Sequence, residues 1–315
     1  MTTQSVAVGP SRRKRKRFQF TDRHLPLLLL FPSVVIIVLV IGFPMLYSLY
    51  ISFTNFNLTN PKVIEFIGFQ NYITLLTRDS QFWKAFGRTV LFITLAVNIE
   101  LILGLGIAQM MARLARGKGL ARTLMMMPMM FAPILVGFQF KWFFDAQLGL
   151  VNNILYSITG QSQLIPWLIK VPLGFISILV AEIWMSTPFM VIILEAGILS
   201  LPTEPFEAAE VDGASGWQKF RLLTLPMIMP FIYTAMAIRS LDLARAFDVV
   251  SIMTGGGPAN RTELIWTYVN RLAFNGKEFA LGAAMSFIAV ILSLVFTYMF
   301  FNNVLKSRWT EEVEL

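Results

Sequence analysis

The sequence contains no cysteine and only one histidine, His24, among 315 residues. The absence of cysteine excludes a disulfide framework and thiolate metal sites, and one histidine is too few for a histidine metal cluster. Charge is also scarce, since 14% of the residues are charged while 56% are hydrophobic. The mean hydropathy of +0.66 is above that of soluble domains of this length. These shortages predict a membrane protein without metal or nucleophile chemistry.

A phosphate-binding loop is also missing. P-loop ATPases hold phosphate with a glycine-rich loop that ends in Gly-Lys-Ser/Thr at a helix start, and no such run occurs in the sequence. The stretch Thr254–Pro258 is rich in glycine but contains no lysine. The chain therefore is not expected to hydrolyse ATP itself, and any energy source must be another polypeptide.

Long apolar windows are abundant. A helix needs roughly 20 apolar residues to cross a hydrocarbon core of about 30 Å. The windows that meet this requirement are Leu27–Ser52, Arg88–Met111, Leu124–Phe144, Leu173–Leu194, Met227–Val249 and Leu281–Asn303. The sequence therefore predicts an all-α integral membrane protein with about six transmembrane helices. Prolines inside these windows predict kinked helices; they are Pro32, Pro44, Pro128, Pro133, Pro188 and Pro230.

Basic residues predict the orientation of the chain. The run Arg12–Arg17 precedes the first window, and four more basic residues lie between the second and third windows, at Arg113, Arg116, Lys118 and Arg122. Positive charge favours the cytoplasmic side, so both termini are expected there. The predicted parts are a basic cytoplasmic tail (1–24), a six-helix transmembrane domain (25–305) and a second cytoplasmic tail (306–315). Because much of the net charge of +8 lies in the first run, no nucleic-acid partner is expected.

The stretch 201–226 differs from a short turn between two membrane helices. Pro205 suits the first turn of a helix, and Glu207 favours a helix N-terminus, whereas Gly213 is placed to end the helix. A second short helix is predicted over Ala214–Leu225, before Pro226. Two small helices in series predict a knob that projects from the membrane domain toward a partner.

The same stretch carries a recognisable motif. It reads Glu207-Ala208-Ala209, then three residues including Asp212, then Gly213-Ala214, and later Leu225-Pro226. This pattern resembles the EAA loop of permease subunits of binding-protein-dependent ABC importers, in the sugar-permease branch similar to the maltose and glycerol-phosphate systems. Two further matches are Phe143-Phe144 with Gly149–Asn153, and Thr254–Pro258. The resemblance covers nearly the whole chain.

The resemblance implies a set of partners and roles. The loop would form a coupling helix that enters a cleft on an ATPase, with Glu207 making a polar contact, Ala208 and Ala209 packing closely and Gly213 forming the turn. The implied partners are a second permease, expected to be a distinct chain, two ATP-binding subunits, an external solute-binding protein, membrane lipid and a sugar-like solute. The chain itself would bind no cofactor, because ATP and Mg²⁺ would be held by the ATPase subunits. The implied location is the bacterial inner membrane.

Several ionisable and aromatic residues lie within the apolar windows. Charge at membrane depth is costly, so it is expected to face the bundle interior or a watery cavity. The candidates for a solute pathway are Glu100, Trp142, Glu182, Trp184, Tyr233, Arg239, Asp242 and Arg245. A ladder of alternating charge is formed by Arg239, Asp242, Arg245 and Asp248. It is either a structural network of salt bridges or the lining of a hydrophilic route. The aromatic residues either stack against sugar rings or anchor the helices at the membrane interface.

Two other function classes remain open from the residues alone. A stand-alone secondary transporter would move solute without a partner ATPase. An intramembrane enzyme would need an acid/base pair, for which Glu100 and Glu182 are the formal candidates. The leading hypothesis is a permease subunit that moves a sugar or sugar-like solute by alternating access, driven through Glu207.

Overall fold

The computed structural model describes residues 25–61, 64–161 and 164–313. The predicted basic tail (1–24) lies outside the described residues, as does the end of the predicted C-terminal tail. The described residues form helices and no strand; one isolated antiparallel bridge joins Thr54 and Phe66. The predicted all-α class is therefore confirmed.

The described chain forms helices of very different lengths. In the first half they are α1 (Leu25–Ile37), α2 (Phe43–Ser52), α3 (Gln70–Thr77), α4 (Ser80–Ala112), α5 (Lys118–Met126), α6 (Pro133–Phe143) and α7 (Leu150–Thr159). In the second half they are α8 (Leu173–Leu199), α9 (Glu204–Val211), α10 (Gly216–Lys219), α11 (Leu225–Met227), α12 (Met229–Leu243), α13 (Asp248–Met253), α14 (Ile265–Asn270) and α15 (Phe279–Val313).

The chain divides into two compact units, with the boundary after Ser48. In the first unit, α1 continues through a π-helical segment at Val38–Gly42 into α2. The stretch Leu29–Ser52 is long and apolar enough to cross a membrane. Its leucine, isoleucine, valine and phenylalanine side chains are largely exposed, as expected of a helix that is surrounded by lipid.

Three further helices meet the length and hydropathy of a membrane span: α4, α8 and the part of α15 from Phe279 to Met299. A bent pair, Gly216–Met227 with Met229–Leu243, passes the same test when it is counted as one span, with a bend of 62°. The described residues thus contain four candidate spans, or up to five with the bent pair. Four of the predicted windows correspond to these helices, although α4 and α8 extend beyond the predicted bounds.

The predicted third window, Leu124–Phe144, is not one helix. It contains the end of α5, a 3₁₀ turn at Pro128–Met130, and α6. Ala132 has an extended backbone (φ −63°, ψ 136°) directly before Pro133. A proline ring disfavours the α conformation in the residue before it and removes one backbone donor, which explains the break.

The predicted fifth window, Met227–Val249, is also interrupted. It begins near Pro226 and Pro230, where the 62° bend occurs, and α12 then ends at Leu243. The helix resumes as α13 only at Asp248, after Phe247 with a non-helical backbone (φ −136°, ψ −54°). Residues predicted to form one continuous charged ladder are therefore split between two helices and a connection.

The second unit has its largest core among α4, α6, α8, α12 and α13. Helices α4 and α8 pack at close range because Gly104 has no side chain. A Cβ built on Gly104 would lie 2.6 Å from the Cβ of Met190. At α6, a Cβ on Gly137 would lie 3.0 Å from the Cβ of Ile252 in α13. Small residues thus set the distances between helices, as is common in membrane bundles.

Candidate functional site

The segment 201–226 forms two short helices in series, as predicted. Helix α9 begins at Glu204, with Pro205 in its first turn and with Glu204 and Glu207 as its acidic first-turn residues. Carboxylates at this end interact favourably with the helix dipole. The N–H groups of Gly213 and Ala214 then bond the carbonyls of Glu210 and Ala209 at 3.1 and 2.9 Å.

These two bonds form a Schellman motif, in which the residue after the helix adopts a left-handed conformation. Gly213 has φ +75°, so the predicted role of Gly213 as the stop of the helix is confirmed. Ser215 opens α10 with a capping box: its Oγ accepts from the N–H of Gln218, and its own N–H donates to Gln218 Oε1 at 2.7 Å. A π-helical segment, Phe220–Thr224, leads on to Leu225 and Pro226.

The α9–α10 knob presents a mixed surface. Glu207, Ala208 and Asp212 are exposed, while Ala209 and Ala214 are half-buried. Large apolar side chains are exposed beside them: Val211 is 89% exposed, Trp217 68% and Leu222 67%. Side chains of this size and exposure are candidates for contact with a partner surface, which is marked by apolar groups rimmed by polar ones.

An ion pair joins the two helices of the knob. Lys219 Nζ lies 2.5 Å from Glu210 Oε1, and this ammonium holds the pKa of Glu210 below its ordinary value. A cleft of about 530 Å³ lies between the knob and the ends of α4 and α8; its lining includes Arg113, Leu199, Phe206 and Phe220. The knob is therefore a folded unit that is adjacent to the ends of two membrane helices.

Three of the predicted intramembrane charges meet at one point. Arg239 in α12 donates from Nε to Glu100 Oε2 at 2.7 Å and from Nη2 to Glu100 Oε1 at 3.0 Å. The same Nη2 lies 2.8 Å from Glu182 Oε1 in α8. Each of the three residues is at most 6% exposed. The three residues lie on three different helices, and no sequence pattern indicated that Arg239 contacts either carboxylate.

Two of the three guanidinium nitrogens of Arg239 are hydrogen-bonded in this buried cluster, and the third, Nη1, lies 3.9 Å from Asp242 Oδ2. Removing charges from water costs several kcal/mol for each ion, and only good pairing offsets that cost. Glu100 receives two parallel N–H donors, and Glu182 receives one from Arg239 and a longer one from Ser186 Oγ at 3.4 Å. The cluster ties α4, α8 and α12 together in the core.

The rest of the charged ladder faces a small cleft, here named the Arg239 cleft. Arg245 Nη2 lies 3.1 Å from Asp242 Oδ1, and both side chains are about half exposed. Its volume is about 260 Å³, and its charged lining consists of Glu182, Arg239, Asp242, Arg245 and Asp248. Arg239 belongs to the buried network as well as to the cleft. The ladder is therefore compatible both with a structural network of salt bridges and with the lining of a hydrophilic route.

The predicted aromatic residues lie elsewhere. Trp184 packs against Phe140, with ring centroids 5.4 Å apart, and against Phe131 at 6.5 Å. Trp142 is 56% exposed and contacts Phe143. Neither tryptophan, nor Tyr233, is among the described residues that line the Arg239 cleft.

A second ion cluster, built around a buried carboxylate, was not predicted. Glu195 in α8 is 1% exposed, and Arg122 in α5 contacts it with two nitrogens, Nη2 to Oε1 at 2.9 Å and Nε to Oε2 at 3.3 Å. Lys118 Nζ lies 3.3 Å from the same Oε1. The predicted fourth window ended at Leu194, one residue too early to include this carboxylate. An acidic residue at the end of an apolar window, opposite a basic loop, was the available signal.

The two supporting motifs form walls of another cleft, here named the Trp167 cleft. Its volume is about 500 Å³, and it is lined by Lys141, Phe144–Ala146, Pro166–Ile169, Met253, Thr254, Gly257 and Pro258. The motif at the end of α6 and the Thr254–Pro258 loop, which are more than 100 positions apart in the sequence, face each other across it.

Comparison with known proteins places the chain in a family. Residues 100–311 match the family model described as binding-protein-dependent transport system inner membrane component. The chain is 35% identical to the probable ABC transporter permease protein y4oQ of Sinorhizobium fredii over 84% of both chains. It is 33% identical to the trehalose transport system permease protein SugA of Mycobacterium tuberculosis over 90% of both.

A solved structure has the same fold. The crystal structure of a bacterial alginate ABC transporter, in complex with an alginate pentasaccharide-bound periplasmic protein, contains a chain that superposes with a TM-score of 0.75. The two chains are 22% identical, and the match covers 89% of this chain and 93% of the other.

These matches decide between the function classes left open by the residues. They favour a transport subunit over an intramembrane enzyme and over a stand-alone secondary transporter. The resemblance inferred from the EAA loop is confirmed. The chain belongs to the inner membrane components of binding-protein-dependent transport systems, the permease subunits of ABC importers.

Proposed function

We propose that the chain imports a sugar or sugar-like solute together with a second, distinct permease, two ATP-binding subunits and an external solute-binding protein. In this proposal the chain crosses the membrane six times, with the broken segment α5–α6 and the segment α11–α12 each serving as one crossing. Both termini lie in the cytoplasm, and ATP and Mg²⁺ are held by the ATP-binding subunits. The sugar class is supported by the relative that transports trehalose and by the resemblance to the sugar-permease branch.

The α9–α10 knob carries the coupling part of the proposal. Helix α9 is short, capped and exposed, with Glu207 on its surface and Val211 beside it, which suits insertion into a partner's cleft. The knob continues directly into the bent segment that contains Arg239. A pull on α9 is therefore transmitted along the backbone to the helix that carries the buried cluster.

The Arg239 cleft is the proposed solute route. Its lining supplies two cationic and three anionic side chains in a space of about 260 Å³. Such groups offer both donors and acceptors to the hydroxyl groups of a sugar. Glu100 and Glu182 hold Arg239 in place, while Asp242 and Arg245 line the accessible part of the route.

A matched pair of variants tests the coupling role. The transporter is purified through a tag on this chain, reconstituted in proteoliposomes, and assayed for ATP hydrolysis stimulated by loaded binding protein. Glu207→Arg is expected to lower the stimulated rate more than tenfold, because a cation replaces the carboxylate that faces the ATPase. Glu204→Arg, on the same exposed helix one turn earlier, is the control and should stay within twofold.

Separate measurements distinguish a loss of coupling from a loss of membrane insertion. The amount of Glu207→Arg chain in the membrane must match that of the wild type, which shows that insertion is intact. Normal uptake and normal stimulated hydrolysis in the Glu207 variant would contradict the coupling role. A preparation of the wild-type chain that transports solute along a gradient without any ATPase would contradict the importer as a whole.

A further inference from the structure

The Trp167 cleft brings together the two sequence motifs that the proposed function leaves without a role. One wall is the end of α6, from Lys141 to Ala146, and the opposite wall is the Thr254–Pro258 loop. The third wall is the stretch Pro166–Ile169. In the proposed topology, all three walls lie on the outer side of the membrane.

The wall at the end of α6 is held by short-range hydrogen bonds. Asp145 Oδ1 accepts from the N–H groups of Gln147 and Leu148 at 2.9 and 2.8 Å. A Cβ built on Gly149 would lie 2.2 Å from the carbonyl oxygen of Asp145, so only glycine fits this turn. The glycine of the motif therefore shapes the cleft wall.

Asn152, from the same motif, links this wall to the third wall. Its Nδ2 donates to the carbonyl oxygens of Ala146 and Ile165 at 2.9 and 3.1 Å, and its Oδ1 accepts from Trp167 Nε1 at 2.8 Å. Asn152 is 5% exposed, so its amide group is shielded from water in all three hydrogen bonds. The indole of Trp167 is thereby fixed before any ligand arrives.

The Thr254–Pro258 loop is equally well fixed. Thr262 Oγ1 lies 2.7 Å from Thr254 Oγ1 and 2.7 Å from the carbonyl oxygen of Gly257. Glu263, 1% exposed, is held by Arg271 at 2.7 Å and by Gln81 Nε2 at 2.7 Å. All walls of the cleft are preorganised, which reduces the entropy cost of binding a small ligand.

The lining has the balance that small-ligand pockets show. Such pockets are mostly apolar and aromatic, span about 300 to 1,000 Å³, and carry a few placed polar groups. Here Trp167, Leu168 and Ile169 supply the accessible apolar surface. The exposed Lys141 and Asp145 supply one charge of each sign. Both backbone N–H groups that bond Asp145 donate to Oδ1. Within the described residues no group donates to Oδ2, so this oxygen can accept a hydrogen bond from a ligand.

This chemistry selects a neutral polyhydroxyl ring over an ion. The two charges cancel, so an anion or a cation gains little net attraction. A pyranose can place its C–H face against an aromatic ring while its hydroxyl groups donate to a carboxylate and accept from an ammonium. Backbone carbonyls of the loop add acceptors.

The cleft also lies on the same pair of helices as the Arg239 cleft. Helix α6 contributes Pro133 to the Arg239 cleft and Lys141 to the Trp167 cleft, and its 11 residues span about 16 Å. Helix α13 likewise contributes Asp248 to one cleft and Met253 to the other. The two clefts are successive along one seam between α6 and α13.

We propose that the Trp167 cleft is a first binding station for a neutral sugar, which is received there from the binding protein and then moves along the α6–α13 seam to the Arg239 cleft. The inference rests on the proposed function, since it names a second station for the same solute. It assigns Lys141 and Asp145 as solute contacts and Asn152 as the residue that positions Trp167.

The natural absence of cysteine allows a direct test of occupancy. Lys141→Cys in the complete transporter is labelled with N-ethylmaleimide in proteoliposomes, with trehalose, with maltose, or with KCl at equal osmolarity. Either disaccharide is expected to slow labelling of this chain at least threefold. Lys170→Cys is the control, because Lys170 is exposed next to Ile169 but does not line the cleft; its labelling rate should not change.

The labelling experiment also separates a sugar site from a docking surface. If unliganded binding protein protects Lys141→Cys while neither sugar does, the cleft receives a protein segment and the proposal is wrong. If neither sugar nor binding protein protects it, the proposal is also wrong.

Transport kinetics provide the second readout. The double variant Lys141→Met, Asp145→Asn is expected to raise KM for uptake about tenfold and to leave kcat within twofold, while Lys170→Met changes neither. An unchanged KM in the double variant, with normal wild-type uptake, would overturn the first station alone. Two results together would count against the sugar class itself: wild-type proteoliposomes that take up neither disaccharide, and Lys141→Cys proteoliposomes whose labelling neither disaccharide slows.

Discussion

Arg239 and Glu100 form a two-pronged ion pair in the core of the chain, although 139 positions separate them in the sequence. The Nε–Oε2 and Nη2–Oε1 distances are 2.7 and 3.0 Å, and the second nitrogen also reaches Glu182. Two carboxylates thus depend on one guanidinium for their charge balance. The stability of the α4–α8–α12 packing is therefore sensitive to this one side chain.

Replacing Arg239 by methionine should destabilise the chain strongly. The variant leaves Glu100 and Glu182 buried side by side without a cation, and loss of one partner of a buried pair typically costs about 3 to 5 kcal/mol. We expect a fall in the thermal unfolding midpoint of the purified chain in detergent. Arg239→Lys should be intermediate, because an ammonium keeps the charge but loses the two-pronged geometry.

A triple variant provides the control for this prediction. Arg239→Met combined with Glu100→Met and Glu182→Met replaces the whole cluster by apolar side chains, and such a replacement is often close to neutral for stability. It should recover most of the lost midpoint. Equal midpoints for Arg239→Met and the wild type would show that the cluster does not support the fold.

Replacing Glu195 by glutamine should loosen the contact between α5 and α8. The change removes the charge that Arg122 and Lys118 share, and charge-assisted hydrogen bonds contribute about 1.5 to 3 kcal/mol. We expect faster limited proteolysis within residues 113–122. Arg116→Gln, at an exposed position of the same loop, should leave the cleavage rate unchanged; an equal rate in both variants would contradict the role of Glu195.

Gly213 and Gly216 form a matched pair for testing the turn in the knob. Gly213 has φ +75°, where a side chain costs about 1 to 2 kcal/mol, so Gly213→Ala should destabilise the α9–α10 knob. Gly216 lies within α10, and nothing stands within 4 Å of a Cβ built there, so Gly216→Ala should be neutral or stabilising. Amide hydrogen exchange in α9 measures both. Equal exchange in the two variants would count against the left-handed turn.

Gly104 and Gly106 test the close packing of α4 on α8. Gly104→Val places a branched side chain where even a Cβ would lie 2.6 Å from Met190, and overpacking of this kind costs about 1 to 3 kcal/mol. Gly106→Val has open space around its Cβ and serves as the control. The thermal unfolding midpoint should fall only for the Gly104 variant. A fall of the same size for both would indicate a helix-propensity effect.

Local features of the chain were predictable from the sequence. Pro205, Gly213 and the acidic first turn predicted α9 and its end, because caps and turns depend on residues a few positions apart. The windows that became α4, α8 and α15 were predictable for the same reason, since hydropathy over roughly 20 residues decides them.

Features that depend on distant residues were not predictable. Spacing predicted that Arg239, Asp242, Arg245 and Asp248 pair along one helix. Asp242 does contact both arginines, at 3.9 Å from Arg239 Nη1 and 3.1 Å from Arg245 Nη2, but the shortest contacts of Arg239 are with carboxylates of α4 and α8. The helix also ends at Leu243, so the assumed periodicity does not extend to Asp248. Sequence patterns assign a residue to a helix, but the partners of a buried charge depend on how three helices pack.

The extended backbone at Ala132 has a mechanical consequence. On one side of it, α5 is clamped to α8 through Arg122 and Glu195; on the other side, α6 is packed against α13 through Gly137. The short connection Met127–Ala132 joins these two contacts, while α8 also packs directly against α6, α13 and the 3₁₀ turn within the connection. The break leaves α6 free of a continuous helical link to α5, so a displacement of α8 is expected to reach the α6–α13 seam through side-chain packing in the shared core.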